Sequence, residues 1–513
     1  MRLTSGHLCL VLAAGMACAA IANPQDNPGI VAFANSGAKE AQSSFLHGLA
    51  QLHNFEYAAA QSDFRRAESI DPGFAMAYWG EIMTHNHPVW NQWDGTAARR
   101  ALERLGATPE ERLAKAPTPR EKDYLRAVEI LFGDAPKKDR DRRYAEAMKR
   151  ISQSYPDDVD AAAFYALAIL GTAEGVRDER VYMQAAGILM PLFYKYPQHP
   201  GVAHYLIHAC DDPVHAPLAL PAARSYSRIA PGAPHAQHMT SHIFLALGMW
   251  DEVVTANEAA MAVVRDARLK EGKTSPGCGH YNYWLEYGYL ETGRRELARK
   301  VVEGCHEQAL RTAPDQLRDV ADPDDAAPLS FLQMQTRYIV DTEDWNADVA
   351  TWTVDVGDAP LAQFYQAAER AFCAVGHGEV ESAGKLLSRM DELIPQLPAV
   401  FDGAGLPPDD PMRRAPAIKR MQIESLITAS EGRMDDAIAM ATKAADQERD
   451  LPYAFGPPAP EKPSYELLGE LLLKQNRAAD AKAAFESALL RAPNRTETLT
   501  DMHKAGSDGA PHR

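Results

Sequence analysis

Two His-x-x-x-His pairs, His204/His208 in HYLIH and His238/His242 in HMTSH, lie 34 residues apart. Imidazoles four residues apart share one helix face and can hold one cation from a single turn, with a second helix or a carboxylate completing the shell. An offset of 34 is the length of a helical hairpin repeated in tandem, so the two pairs are expected to stack on one surface. Eight of the 17 histidines fall between His199 and His280. The chemistry this points to is binding of zinc, copper or iron.

Other chemistries find no support. His-Glu occurs only as His306-Glu307 followed by QAL, which is not a metalloprotease motif, and no Cys-x-x-Cys exists. Gly272-Lys273-Thr274 lacks the upstream glycine of a phosphate loop, where Ala267 stands. Ser241 adjoins His242, but adjacent helical residues point about 100° apart and do not face each other.

What must position the histidines is helical. Apolar residues make up 46% of 513, and no long alternating strand pattern appears, so the chain reads as all-α and too long for one compact core. Gly48, Ala60, Phe64, Ala67 and Pro72 follow one another at the same spacings as Gly469, Ala481, Phe485, Ala488 and Pro493. A small residue lets two helices approach, an aromatic fills their crossing, and proline ends the hairpin. Degenerate copies continue at Ala219/Ala223/Pro231, Val253/Asn257/Ala260 and Ala298/Val302, giving roughly eight to ten hairpins.

This pattern resembles the tetratricopeptide repeat, which implies a right-handed α-solenoid whose first helices line a concave groove. Phased by Ala219 and Val253 rather than by histidine, the resemblance puts His204 and His238 at one groove position and His208 and His242 at another. It adds His235, Asp211 and His280 to the metal candidates. Asp212, Tyr283 and Tyr287 take further groove positions, with Glu286 beside them, as ligand-binding candidates. Helical offsets draw His235, His238 and His242 into one stripe and His204, His208 and Asp211 into another. The segment YWGEIMTHNHPVWNQW contributes Glu81 and His87 as further ligand-binding candidates, with Trp90 and Trp93 as binding or packing aromatics. The blocks HYLIHACDDPVHAP and PHAQHMTSHIFLALGMWDE also look like those of uncharacterised exported bacterial repeat proteins, a resemblance that carries no activity with it. His199 and His215, each beside a proline, suit hairpin junctions.

Arg2, an apolar run from Leu8 to Ala20 and Ala20-Ile21-Ala22 fit a secretory signal over 1–22, so a periplasmic or secreted location is expected. Lipidation at Cys18 ranks second, because Gly15-Met16-Ala17 lacks the branched residue three places upstream. After the signal come an extension at 23–39, the histidine-bearing array at 40–314, further hairpins at 315–394, a Pro/Gly/Asp-rich loop at 395–416, C-terminal repeats at 417–500 and a disordered tail at 501–513. Leu451 to Pro463, LPYAFGPPAPEKP, reads as one more loop. Cys278 and Cys305 flank one hairpin and could bridge its open ends, with Cys210 and Cys373 remaining. The net charge of −17 and the single short KKDRDRR run, read as a solvated loop and helix start, argue against nucleic acid, and no run is long and apolar enough to span a bilayer.

Two functions follow as expectations. One is an exported metal-binding solenoid, either a metal-dependent enzyme or a metal carrier. The other is a scaffold that clamps a peptide, protein or small-molecule ligand in a His/Tyr-lined groove without metal.

Overall fold

A computed structural model of the chain describes residues 27–507 apart from 319, 409 and 454. The expected signal at 1–22, with Cys18, and the end of the tail at 508–513 therefore lie outside the described residues. Helices follow one another in packed pairs, beginning with Gln42–His53 on Tyr57–Ile70 and ending with Ser464–Lys474 on Ala478–Arg491. Short connections make successive helices antiparallel, and each pair stacks on the next as an α-solenoid. The only β structure among the described residues is a two-stranded hairpin, Asn86–His87 with Gln92–Trp93.

The glycine–aromatic spacing explains the crossings. A Cβ at Gly48 would lie 3.2 Å from the Phe64 ring and one at Gly469 2.4 Å from Phe485, and on its other side Phe64 meets Gly80 of the next hairpin, where a Cβ would lie 2.3 Å away. Phe64, Phe485, Ala60, Ala67 and Ala481 are fully buried, as residues at helix contacts must be.

The ends are tied in. Val31 and Phe33 of the N-terminal extension are buried, with the Phe33 ring 5.6 Å from Phe45 and 5.4 Å from Tyr124. At the other end the C-terminal repeat docks on the middle of the array. Trp250 Nε1 donates to Asn494 O at 2.8 Å, and the Arg495 guanidinium meets Glu291 at 3.0 Å.

Three expectations need correction. The segment 395–416 is not all loop: Leu397–Gly403 is helical because Leu397, Val400 and Phe401 form a buried stripe at helical offsets. Pro411–Ser430 then starts where the Asp410 side chain caps Met412 N. Thr496–Ser507 is a helix with Asp501 and Ala505 buried, so the array continues past 500 into the segment expected to be a tail. The KKDRDRR run opens the helix Lys137–Ser154, and Arg140 is buried, with its guanidinium 3.9 Å from the Trp93 ring centre and donating to Leu131 O. Cys278 and Cys305 form a disulfide, while Cys210 and Cys373 are unpaired thiols. No helix among the described residues is long and apolar enough to cross a membrane.

Candidate metal centre

Three consecutive first helices carry the histidines: Pro200–Ala209, Pro234–Ala246 and His280–Glu291. Proline at the first turn of two of them, and Gly279 at φ +109° before the third, set where each helix starts and so which face each imidazole takes. That face is closed rather than open to a groove. His204 and His238 are fully buried, His208 and His242 nearly so, and His235 and His280 are half-buried. Phe55 covers one side, its ring centre 4.3 Å from His204 and 5.5 Å from His208. Trp284 covers the other, 4.3 Å from His242 and 4.7 Å from His238. The β hairpin brings Trp90 to 6.1 Å from His235 and 6.5 Å from His208, so of the Glu81 to Trp93 segment it is Trp90 that faces the central histidines.

The six imidazoles divide across helices, not along them. His204, His208 and His235 form one group and His238, His242 and His280 a second, with the ligand atoms of each within 4.8 Å of one another. The stripes read from helical offsets therefore regroup. His235 opens its helix and leans to His204, 5.0 Å between ring centres, rather than to His238 at 6.3 Å.

Hydrogen bonding fixes which nitrogen faces inward. His204 Nδ1 donates to the His53 carbonyl at 2.7 Å, His242 Nδ1 to Asp211 Oδ2 at 2.5 Å, and His280 Nδ1 to Asp324 Oδ2 at 2.8 Å. Asn257 Nδ2 donates to Val253 O, which turns Asn257 Oδ1 toward His238 Nδ1 at 2.7 Å and makes that nitrogen a donor too. In their neutral form these four rings carry their proton on Nδ1 and present the Nε2 lone pair. An imidazole anchored through its other nitrogen to a carbonyl or carboxylate is the usual preparation of a metal ligand.

The lone pairs then confront each other. His238 Nε2 and His242 Nε2 stand 3.0 Å apart, a spacing that either a proton on one of them or a shared cation must bridge. His204 Nε2, His235 Nε2 and both ring nitrogens of His208 have no hydrogen-bond partner among the described residues. Buried polar atoms are otherwise almost always paired, so this concentration marks the cluster as a candidate ligand set. Two ligands on a tetrahedral ion at about 2.0–2.1 Å would sit about 3.3 Å apart, close to the observed spacing. Burial first, and then the neighbouring imidazoles, hold His204, His208, His235 and His238 well below the ordinary histidine pKa, keeping the lone pairs available. At His280 burial acts the same way, but the Asp324 and Asp322 carboxylates outweigh it and raise the pKa.

A third group supplies the contrast. His53 and His199 both donate Nε2–H to Asp160 Oδ1, at 2.8 and 3.2 Å. Their Nδ1 atoms accept from Tyr205 OH and Val202 N–H. Every donor there meets an acceptor, and the network ties three helices together without needing an ion.

The remaining candidates are placed as follows. Asp212 pairs with Arg177 and accepts from His215 Nδ1 at 2.8 Å, which also accounts for His215. Glu81 is spent on Arg65 and Arg104. His87 stacks on Tyr57 at 3.8 Å and bonds Thr84 O. Tyr283 OH accepts from Arg337 at 3.2 Å, whereas Tyr287 OH and both Glu286 oxygens are buried without partners, and burial raises the Glu286 pKa well above its ordinary value. Sequence reasoning missed Phe55, Trp284, Asp324 and the His53 carbonyl; only Asn257 carried a signal, standing at a repeat-phase position.

Beside Glu81, burial and then the Glu81 carboxylate push Glu68 up to about 8. The folded chain therefore holds that proton more tightly than the unfolded chain, whose Glu has a value of 4.5, and stability should fall as pH rises between 4.5 and 8. Denaturation midpoints across that range should slope less in Glu68→Gln; an unchanged slope would remove Glu68 from the account.

The family model described as Tetratricopeptide repeat matches residues 463–495. No curated protein matches the chain. Among solved structures, the yeast Tom70 crystal structure is 12% identical over 92% of this chain and 96% of that one, with a TM-score of 0.36. The P58(IPK) TPR domain is 12% identical over 91% and 98%, at 0.22, and the APC/C hetero-tetramer Cut9-Hcn1 is 12% identical over 92% and 78%, at 0.32. Residues 463–495 are thus a tetratricopeptide repeat, and with the Gly48–Phe64 crossing matching Gly469–Phe485 the chain is an α-solenoid of tetratricopeptide-like helical hairpins.

Proposed function

We propose that the solenoid is an exported transition-metal protein whose centre is built by His204, His208 and His235 on one side and His238, His242 and His280 on the other. The observation that carries this reading is the concentration of buried, unpartnered ring nitrogens at His204, His208 and His235 beside the 3.0 Å approach of His238 Nε2 and His242 Nε2. Three imidazoles per group suit zinc or copper and leave a fourth position for water or a ligand. Iron fits less well, because the carboxylates of Asp211 and Asp324 orient imidazoles and that of Glu56 accepts from His235 N–H instead of facing the ion. The Cys278–Cys305 disulfide supports an oxidising compartment, as the signal at 1–22 does.

Chelator-stripped full-length protein without a polyhistidine tag should take up Zn2+ or Cu2+ stoichiometrically by titration calorimetry and elemental analysis. The His208→Ala/His242→Ala pair should lose that uptake with unchanged helicity. A stripped protein that cannot be reloaded would sink the reading.

Partner binding remains the second function, favoured by the way Arg337, Gln422 and Arg491 hold carbonyls of an extended segment.

A further inference from the structure

The described residues of 451–463, all but 454, contain no helix, yet Leu451, Pro457 and Pro460 to Pro463 are buried. The solenoid holds this segment by its backbone and by two buried ion pairs, Glu461 with Lys419 at 2.5 Å and Lys462 with Glu466 at 3.0 Å. Arg491 donates to Leu451 O and Pro452 O, each at 3.2 Å. Arg337 donates to Pro458 O and Glu461 O, and Gln422 Nε2 to Lys462 O at 2.6 Å. Arg337 and Gln422 are themselves fully buried.

The middle of the segment rests on the walls of the histidine centre. Gly456 has φ +110°, and a Cβ there would lie 2.6 Å from Trp284, the ring that covers His238 and His242. Phe455 stacks on Tyr182 at 6.2 Å and lies 6.0 Å from the Arg177 guanidinium, which in turn donates to the His208 and Ala209 carbonyls. One dipeptide therefore bears on both groups of imidazoles through a single side chain each.

We propose that 451–463 is a strap bound in cis against the solenoid, closing the histidine centre through Trp284, and that its release is the route by which a ligand reaches His238 and His242. This rests on the histidine centre being the functional site. Hydrogen bonds between an extended segment and side chains can open without unfolding the helices beneath, as local opening in proteins generally does.

The test uses full-length, chelator-stripped protein and diethylpyrocarbonate, which modifies accessible imidazoles, with modified positions mapped by peptide mass. Gly456→Val strains a positive φ and meets Trp284, so the strap should lift; Phe455→Ala is the milder variant should Gly456→Val fail to fold. His238 and His242 should react about tenfold faster in either variant, while His53 and His199, in their closed network, react as in the parent. Equal rates at His238 and His242 in parent and variants would overturn the strap, and so would a uniform rise that includes His53 and His199. The readout needs no metal, so failure of the metal reading, which metal titration of the same samples reports, stays distinguishable from failure of the strap.

Discussion

Asp211→Asn is expected to leave the solenoid folded and to weaken metal binding by about 10–100-fold. Asp211 touches no ion in the proposed arrangement; it accepts the Nδ1 proton of His242 at 2.5 Å. The carboxylate has only acceptors, so it allows one tautomer, with Nε2 bare beside His238. An amide can turn its NH2 toward the ring, which moves the ring proton to Nε2 and blocks the ligand atom. Asp212→Asn is the control one residue away. Its carboxylate serves the buried Arg177 and not an imidazole of the centre, so that variant should lose stability. Calorimetric titration of both variants with Zn2+, beside their denaturation midpoints, separates the two effects. Equal affinity in Asp211→Asn and the parent would mean that His242 is not held for a metal.

The sequence made the histidines legible because a metal-ligand spacing recurred in phase with a repeat marked by other residues, Ala219 and Val253. The same phase placed Asp211, His235 and His280, and all three stand in the cluster. What it could not carry was the partition into two groups. Offsets along one helix order residues on that helix, whereas the groups form between helices, where side-chain lean decides, as His235 shows by meeting His204. Closure of the groove was equally out of reach. Phe55 reaches the centre from a turn at φ +59°, and the strap comes from some 200 residues downstream, contacts with no periodicity to reveal them. Composition also misled at 395–416, where proline and aspartate serve as helix starts rather than as loop residues.

Arg495→Ala should cost about 3–5 kcal/mol of stability, far more than an ordinary surface ion pair. The guanidinium is buried and meets three carboxylates: Glu466 at 2.8 Å, Asp341 at 2.7 Å and Glu291 at 3.0 Å. They come from three separate helices, so Arg495 joins the C-terminal repeat to the middle of the array. Truncation would strand those acids without their main counter-charge, and the cost is their desolvation more than a lost attraction. Glu466 shows the coupling: burial opposes its charge, yet Arg495 and then Lys462 hold its pKa below the ordinary range. That contribution is present above 4.5 and lost as pH falls through the lower folded value, so Arg495→Ala should lose the corresponding acid sensitivity. Trp250, bonded to Asn494 O, reports the junction directly, and its fluorescence should change at lower denaturant than the helical signal in the variant. Combining Arg495→Met with Glu466→Gln and Glu291→Gln should recover much of the stability by removing charge from both sides at once. If Arg495→Ala costs under about 1 kcal/mol, the junction is solvated and the C-terminal repeat is not fastened there.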